Sequence, residues 1–295
     1  MSGQLAPLIS GISDGVFLFL IASGLTLIFG VMGLINMAHG AYYMFGAYLI
    51  YVILAGRAVS FGWFLLAIAA AAVATAGIGI VTERLLIRRL YRQAPINSML
   101  GTYALLLILQ GLAQWIWGTA PVVQQQTAVV NVSFSVGGIQ VPRYSIMVAV
   151  LGVLTLVAIQ FLLTRTHLGA QIRAVSEDRW MAALLGIPVA RVSLVVIALG
   201  TLLAGLGGAL TAPTQGITPD LAVAPLITAF AVVIVGGLGS IYGAALAALL
   251  LAILNSYIIA YLPALANYTI YVAMLAILLF RPQGLLGSAA RTGIK

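Results

Sequence analysis

The feature that most constrains this chain is a series of long segments without a charged residue. They cover residues 15–56, 58–82, 93–142, 144–164, 192–219 and 221–280. Because a membrane-spanning helix needs about 20 mostly apolar residues, these segments accommodate roughly two, one, one, one, one and three crossings. We therefore predict an all-α integral membrane protein with about nine transmembrane helices (eight to ten), some of them broken or re-entrant. A single transmembrane domain is expected to occupy residues 1–295.

Composition and charge exclude other classes of protein. Hydrophobic residues make up 63% of the chain and charged residues 6%, with a mean hydropathy of +1.18, which no soluble domain of this length matches. The apolar runs do not alternate as the strands of a β-barrel do. The net charge of +8 does not indicate a nucleic-acid partner, because the basic residues gather in three stretches around Arg84–Arg92, Arg165–Arg191 and Arg281–Lys295. Basic loops face the cytoplasm, so we predict an external N-terminus and an internal C-terminus.

The polar stretch at residues 165–191 is predicted to be a cytoplasmic loop. It contains seven titratable side chains: Arg165, His167, Arg173, Glu177, Asp178, Arg179 and Arg191. Hydrocarbon would destabilise such a cluster by several kcal/mol, so it must lie in water or against another protein. Residues Gln171–Leu185 are predicted to form one helix with an apolar side, ended by Gly186 and stopped by Pro188.

Two interruptions of the apolar pattern are candidates for a transport route. Asn36, His39 and Gly40 precede the second span, and Gly236, Gly237 and Gly239 divide residues 226–260. Each interruption is either a tight turn at the membrane interface or the end of a half-helix within the membrane. Irregular backbone is tolerated at that depth beside protein or a water-filled cavity.

Other segments predict packing and loops. Small residues let helices approach closely, so the Ala-rich third span, about 61–82, is expected to be central in the bundle. The sixth span carries a small residue at every fourth position, at Gly200, Ala204, Gly208 and Ala212. Residues 119–143 alternate apolar and polar side chains around a Gly-Gly pair, which indicates a hairpin-like loop outside the cytoplasm.

Several chemistries lack the residues that they need. The chain has no cysteine, and its one lysine is the final residue, Lys295, so it cannot carry a Walker A loop. His39 has no other metal-ligating residue near it in the sequence, so we expect neither a metal site nor a cofactor bound by this chain. No catalytic constellation is evident, and we do not expect an enzyme. Energy for transport would then come from another protein docked on the 165–191 loop.

Three separated segments resemble one family. They are GLTLIFGVMGLINMAHGAYYMFGAY at residues 24–48, RAVSEDRWMAALLGI at 173–187 and VGGLGSIYGA at 235–244. Together they resemble the first of the two membrane subunits of branched-chain amino acid ABC importers, over essentially the whole chain.

The resemblance implies a multi-pass permease domain in a bacterial inner membrane, surrounded by the lipid bilayer. Its partners would be a homologous second permease subunit, two cytoplasmic subunits that bind and use ATP, and a periplasmic substrate-binding protein. The same resemblance implies an ATPase-coupling segment formed by Arg173, Glu177, Asp178, Ala182, Ala183, Leu184 and Gly186. It also implies a substrate pathway lined by Asn36, His39, Gly40, Gly236, Gly237 and Gly239.

An alternative remains open on the residues alone. A self-contained channel or ion-coupled carrier for a small neutral solute, such as urea or an amide, would also be an apolar bundle without a Walker A loop. The polar loop at 165–191 distinguishes the two hypotheses, because only the importer needs a docking surface for a motor protein.

Overall fold

We describe the fold from a computed structural model, in which residues 2–54, 59–91, 93–123, 132–136, 139–266 and 268–287 are described. Helices dominate it, in the order α1 (Ser2–Met32), α2 (His39–Leu54), α3 (Phe61–Thr82), α4 (Arg88–Leu90), α5 (Pro95–Trp117), α6 (Arg143–Arg165), α7 (His167–Glu177), α8 (Arg179–Leu184), α9 (Val189–Thr211), α10 (Ala224–Gly236), α11 (Ile241–Tyr261) and α12 (Thr269–Phe280). A π-helical stretch, Glu83–Ile87, joins α3 to α4, and 3₁₀ turns occupy Pro219–Ala222 and Pro263–Leu265.

The helices confirm an all-α integral membrane protein. Among the described residues, seven helical segments are long and apolar enough to cross a bilayer, and α2 and α12 are shorter apolar helices. The predicted number of nine crossings stays a prediction, since 16 and 12 residues fall short of the usual length of a span.

Close backbone contacts hold the centre of the bundle, which consists of α1, α2 and α9. A β-carbon added to Gly200 would lie 2.7 Å from the Ile28 side chain and 3.0 Å from the Gly24 carbonyl oxygen. One added to Gly208 would lie 1.9 Å from the Tyr43 carbonyl oxygen. The four small residues of the sixth span are all buried here, which confirms their predicted role in close packing.

The expectation that the Ala-rich third span is central was wrong. One face of α3 packs on α9, where Gly79 meets Thr201 and Thr75 meets Gly205. The opposite face, which includes Ala70, Val73 and Gly77, is exposed. The alanine residues of α3 lie on every side of the helix, so its composition does not show that only one face packs against other helices.

A two-stranded antiparallel sheet lies in the predicted 119–143 loop. Strands β1 (Ser133–Val136) and β2 (Ile139–Pro142) pair with Ser133 opposite Pro142. Residues 124–131 and 137–138 of this loop lie outside the described residues. Helix α6 follows directly, and its Arg143 guanidinium lies 5.0 Å from the centroid of the Phe61 ring at the start of α3.

Candidate functional site

Helix α2 begins inside the bundle rather than at its edge. Gly33, with a φ of 63°, turns the chain after α1, and no helix forms before His39. The His39 side chain reaches the carbonyl oxygen of Ile21, eleven residues before the end of α1. At 1.5 Å per residue, the start of α2 therefore lies about 16 Å along α1 from Met32. The structure supports an interrupted helix at this position over an interfacial turn.

Asn36 and His39 are fully buried, and each keeps an unsatisfied polar atom. The Asn36 side-chain oxygen accepts a hydrogen bond from the Ala38 amide at 3.1 Å, which caps the start of α2. The His39 Nε2 atom lies 3.0 Å from the Ile21 carbonyl oxygen. Since a carbonyl can only accept, Nε2 carries the proton. Asn36 Nδ2 and His39 Nδ1 have no partner within the described part of the chain.

The start of α10 meets the start of α2. A β-carbon on Gly40 would lie 1.9 Å from the Ala222 carbonyl oxygen and 2.8 Å from the Leu226 β-carbon. Both helices therefore begin next to each other within the bundle. The positive ends of both helix dipoles therefore lie in this region, as in interrupted transporter helices that bind small charged solutes.

Two polar side chains of α5 support these irregular segments. The Thr102 hydroxyl accepts a hydrogen bond from the Met37 amide at 3.1 Å and lies 3.2 Å from the Ile35 carbonyl oxygen. The Gln110 side-chain amide donates to the Pro219 carbonyl at 3.1 Å. The sequence analysis missed both residues, although a polar side chain within an apolar span is a signal that could have identified them.

Gly236, Gly237 and Gly239 lie at the other end of α10. Ten residues, or about 15 Å of helix, separate Leu226 from Gly236, so the structure does not bring the two predicted pathway segments together. A β-carbon on Gly236 would lie 2.5 Å from the Gly243 carbonyl carbon. Gly237 and Gly239 have positive φ values of 100° and 84°, which allow the tight turn into α11.

Residues 285 and 286 pair with the last carbonyl groups of α10. The Leu285 amide donates to the Val235 carbonyl at 2.7 Å, and the Leu286 amide donates to the Gly236 carbonyl at 3.1 Å. These carbonyls would otherwise be unpaired at a helix C-terminus. We call this contact between residues 285–286 and α10 the C-terminal clasp.

The single helix predicted over Gln171–Leu185 was wrong, because Asp178 divides it. Asp178 has an extended backbone, with φ −147° and ψ 106°, and follows α7. Its carboxylate accepts hydrogen bonds from the Trp180 and Met181 amides, both at 2.9 Å, and so caps α8. Aspartate is more stable as an N-cap than within a helix, which explains the break.

Helix α8 ends as predicted at Gly186, which has a φ of 81°. The Ile187 amide bonds to the Ala182 carbonyl and the Gly186 amide to the Ala183 carbonyl, which is the Schellman arrangement. Ala182 is buried beneath the helix. Four large apolar side chains point away from the bundle, with exposures between 46% and 74%: Trp180, Met181, Leu184 and Leu185.

A cavity of about 570 Å³ lies between this loop, the end of α1 and the turn after α10. The end of α1 contributes Gly30 and Gly33, the loop contributes Glu177 and Arg179, and the turn after α10 contributes Leu238. Pro282 and Gln283, which follow Arg281, also line it. The loop and the C-terminal segment therefore lie at the same end of the bundle. Of the remaining residues predicted to form the coupling segment, Arg173 is exposed on α7 and Ala183 on α8.

The arginines of α4 lie at this end as well. Arg88 and Arg89 line one cavity together with Arg179, and the Arg179 guanidinium lies 5.2 Å from the centroid of the Tyr91 ring. We call this end of the molecule the basic end. Arg57, Arg92, Arg291 and Lys295 lie outside the described residues.

Comparisons with known proteins all point to one family. Residues 8–280 match the family described as branched-chain amino acid transport system, permease component. The chain is 30% identical to the high-affinity branched-chain amino acid transport system permease protein LivH of Escherichia coli K12, over 96% of this chain and 95% of the relative. The permease protein BraD of Pseudomonas aeruginosa matches at the same identity and coverage.

An archaeal relative extends the comparison. The probable branched-chain amino acid transport permease protein LivH of Methanocaldococcus jannaschii is 30% identical over 92% of this chain and 88% of its own length. No solved structure matches the chain. The chain belongs to the family of branched-chain amino acid transport permease components.

Proposed function

We propose that this chain is the transmembrane permease subunit of an ABC-type importer for branched-chain or similar small amino acids. Its relatives carry that transport system in their names. Separate cytoplasmic subunits would hydrolyse ATP, a second homologous permease subunit would complete the route, and a periplasmic binding protein would deliver the substrate. The exposed apolar surface of α8 is the single observation that carries this proposal.

Helix α8 has the properties of a docking helix for an ATPase. Its exposed side chains, such as Trp180 and Leu184, are too large and apolar to face water without a partner. Helices α7 and α8 are packed against the bundle through the buried side chains of Ile172, Val175 and Ala182. A displacement of α8 by a docked protein would therefore also displace α7. Helix α7 contacts both α1 and α9, so a displacement of α8 would be passed through α7 to these two helices. A self-contained channel or carrier would have no use for such a surface.

The basic end would face the cytoplasm. Arg88, Arg89 and Arg179 line a cavity there, and Arg281 directly precedes Pro282 and Gln283 at the same end. This placement supports an external N-terminus, an internal C-terminus and nine crossings under the positive-inside rule. The β1–β2 hairpin would then face the periplasm, where the binding protein docks.

The starts of α2 and α10 would form the inner part of the substrate route. Helix N-termini attract a carboxylate, and the unpaired Nδ1 of His39 can accept a hydrogen bond from an ammonium group. Gly40 keeps the two starts in contact, while Gly236, Gly237 and Gly239 would form a gate at the cytoplasmic end. Alternating access would follow from movement of α8 when the ATPases close.

Copurification of partner subunits tests the role of α8. We expect tagged wild-type chain, expressed with its ATPase subunits, to retain them through purification. The double substitution Leu184→Asp and Leu185→Asp should abolish that retention, because it places two charges in an apolar contact. The control, Leu184→Met and Leu185→Met, keeps the surface apolar and should retain the ATPases. Equal retention by all three proteins would contradict the proposal.

A further inference from the structure

A second cavity at the basic end has a strongly positive wall. It measures about 660 Å³ and lies between the end of α4 and the start of α9. Its described lining consists of Arg88, Arg89, Tyr91, Gln93, Arg179, Val189 and Ala190. Three guanidinium groups therefore share one cavity, and no acidic residue is among these lining residues. None of the proposed coupling or pathway residues lies in this wall.

Arg179 is held in place by its neighbours. Its Nη2 atom donates a hydrogen bond to the Ser193 hydroxyl at 3.2 Å, and its guanidinium lies 5.2 Å from the centroid of the Tyr91 ring. The Tyr91 hydroxyl donates to the buried carboxylate of Glu83 at 3.2 Å. Burial, followed by the charge of Glu83, raises the pKa of Tyr91, so this hydroxyl keeps the proton that it donates to Glu83.

Arg88 and Arg89, by contrast, have no ion-pair partner among the described residues. Both are exposed, and neither forms a side-chain hydrogen bond or an ion pair with any residue that the structure describes. Guanidinium groups bind phosphate oxygens in pairs of parallel hydrogen bonds. Two unpaired guanidiniums beside a fixed third are therefore suited to a phosphate group.

The surface next to the cavity is apolar. On the helical turns before Arg88 and Arg89, Val81 of α3 is 55% exposed and Leu85 of the π-helical stretch is 61% exposed. These side chains lead from the membrane-spanning part of α3 directly to the arginines. A phospholipid has the same order of groups, because its acyl chains lie beside apolar helix surface and its phosphate lies at the interface. An acidic peptide from a cytoplasmic protein would leave the apolar surface unused.

We propose that this cavity binds the phosphate of an anionic phospholipid, with Arg88, Arg89 and Arg179 as its ligands and the exposed face of α3 against its acyl chains. Zwitterionic lipids offer the same phosphate but carry a compensating ammonium group. Basic cavities at the cytoplasmic side of membrane helices bind anionic lipids, which lack this ammonium group, in preference to zwitterionic lipids.

Native mass spectrometry of the purified full chain tests this site. We expect phosphatidylglycerol to remain bound at detergent concentrations that remove phosphatidylcholine. The variant Arg88→Gln with Arg89→Gln should bind phosphatidylglycerol roughly 30-fold more weakly, since each surface charge contributes about 1 kcal/mol. Replacing both residues with lysine keeps the charges but loses the bidentate geometry, so it should restore only part of the binding. Far-ultraviolet circular dichroism and gel filtration confirm that each variant is folded.

A control separates this cavity from general surface charge. Arg165→Gln with Arg281→Gln removes two exposed arginines outside the cavity lining and far from α4 in the sequence, and should weaken phosphatidylglycerol binding far less than the Arg88/Arg89 variant. Equal loss in this control and in the Arg88/Arg89 variant would overturn the proposal, as would equal retention of phosphatidylcholine. Competition with inorganic phosphate tests whether the site instead binds a soluble anion. If millimolar phosphate alone displaces the lipid, the site recognises a soluble anion and the lipid assignment is wrong.

Discussion

At the scale of single residues, glycine decides how closely the two interrupted helices approach. Gly40 leaves no room for a side chain, because its absent β-carbon would overlap the Ala222 carbonyl oxygen. Gly111 on α5 presents the opposite case, since nothing lies within 4 Å of the position of its β-carbon. The same substitution at these two positions therefore has opposite expected effects.

We predict that Gly40→Ala lowers the midpoint of thermal unfolding of the detergent-solubilised protein. Overpacking of this kind costs about 1–3 kcal/mol, because the backbones of α2 and residues 219–222 must separate. Gly111→Ala should leave the midpoint unchanged or raise it slightly, since alanine is the better helix former. Equal midpoints for the two variants would show that α2 does not meet residue 222.

Gly186 is constrained by its backbone and not by space. No atom lies within 4 Å of its absent β-carbon, but its φ of 81° is unfavourable for residues with a side chain. We predict that Gly186→Val, at a strain of about 1–2 kcal/mol, distorts α8 and raises the ATP hydrolysed per amino acid imported in reconstituted transporter. Gly186→Asn tolerates this conformation and should keep the wild-type ratio. An unchanged ratio in the valine variant would count against a coupling role for α8.

Individual site residues were only partly predictable from the sequence. Asn36 and His39 stood out because polar residues are rare in spans, and the structure buries both. Their unsatisfied atoms could not be predicted, because hydrogen bonding depends on which helix passes nearby. Thr102 and Gln110 carried a similar signal, but their partners are more than 60 residues away in the chain.

At the scale of secondary-structure elements, capping hydrogen bonds determine where helices end. Asp178 interrupts an otherwise helical segment, and the apolar periodicity alone did not reveal the break. The C-terminal clasp is a second case, because residues 285–286 complete a helix that ended some 50 residues earlier. Sequence patterns report local preference, whereas these contacts bring together distant segments.

We predict that the C-terminal clasp stabilises the end of α10. A chain that ends at Gln283 loses both amide donors and should expose the amides of residues 233–240 to faster hydrogen exchange. Each buried carbonyl left unpaired costs about 1–3 kcal/mol. A chain that ends at Gly287 keeps both hydrogen bonds and should exchange like the full-length protein. Equally fast exchange in both shortened chains would show that the clasp does not stabilise α10.

At the scale of the whole molecule, the apolar runs were sufficient to predict the membrane class. They did not distinguish a full crossing from an interrupted helix. Helices α2 and α10 have 16 and 13 residues, and each begins inside the bundle after an irregular segment. Both segments are apolar enough to resemble ordinary spans, so only the Gly and Asn interruptions indicated the difference. The outward face of α3 was unpredictable because alanine residues lie on every side of that helix.

The absence of cysteine makes the orientation directly measurable. We predict that a cysteine at Ser135, in β1, reacts with a membrane-impermeant maleimide added to spheroplasts. A cysteine at Ala183, exposed on α8, should react only after the membrane is permeabilised. The unmodified chain has no thiol and supplies the background. Reaction of the Ala183 cysteine in sealed spheroplasts would reverse the orientation.

Helix α5 has a consequence for how the bundle can move. It lies beside α2 at the edge of the core, yet its Thr102 and Gln110 side chains are bonded to the two irregular segments before α2 and α10. Any rotation or tilt of α5 must therefore pull on both segments simultaneously. One peripheral helix can therefore couple the movements of α2 and α10, and the proposed substrate route need not depend on separate motions of these two helices.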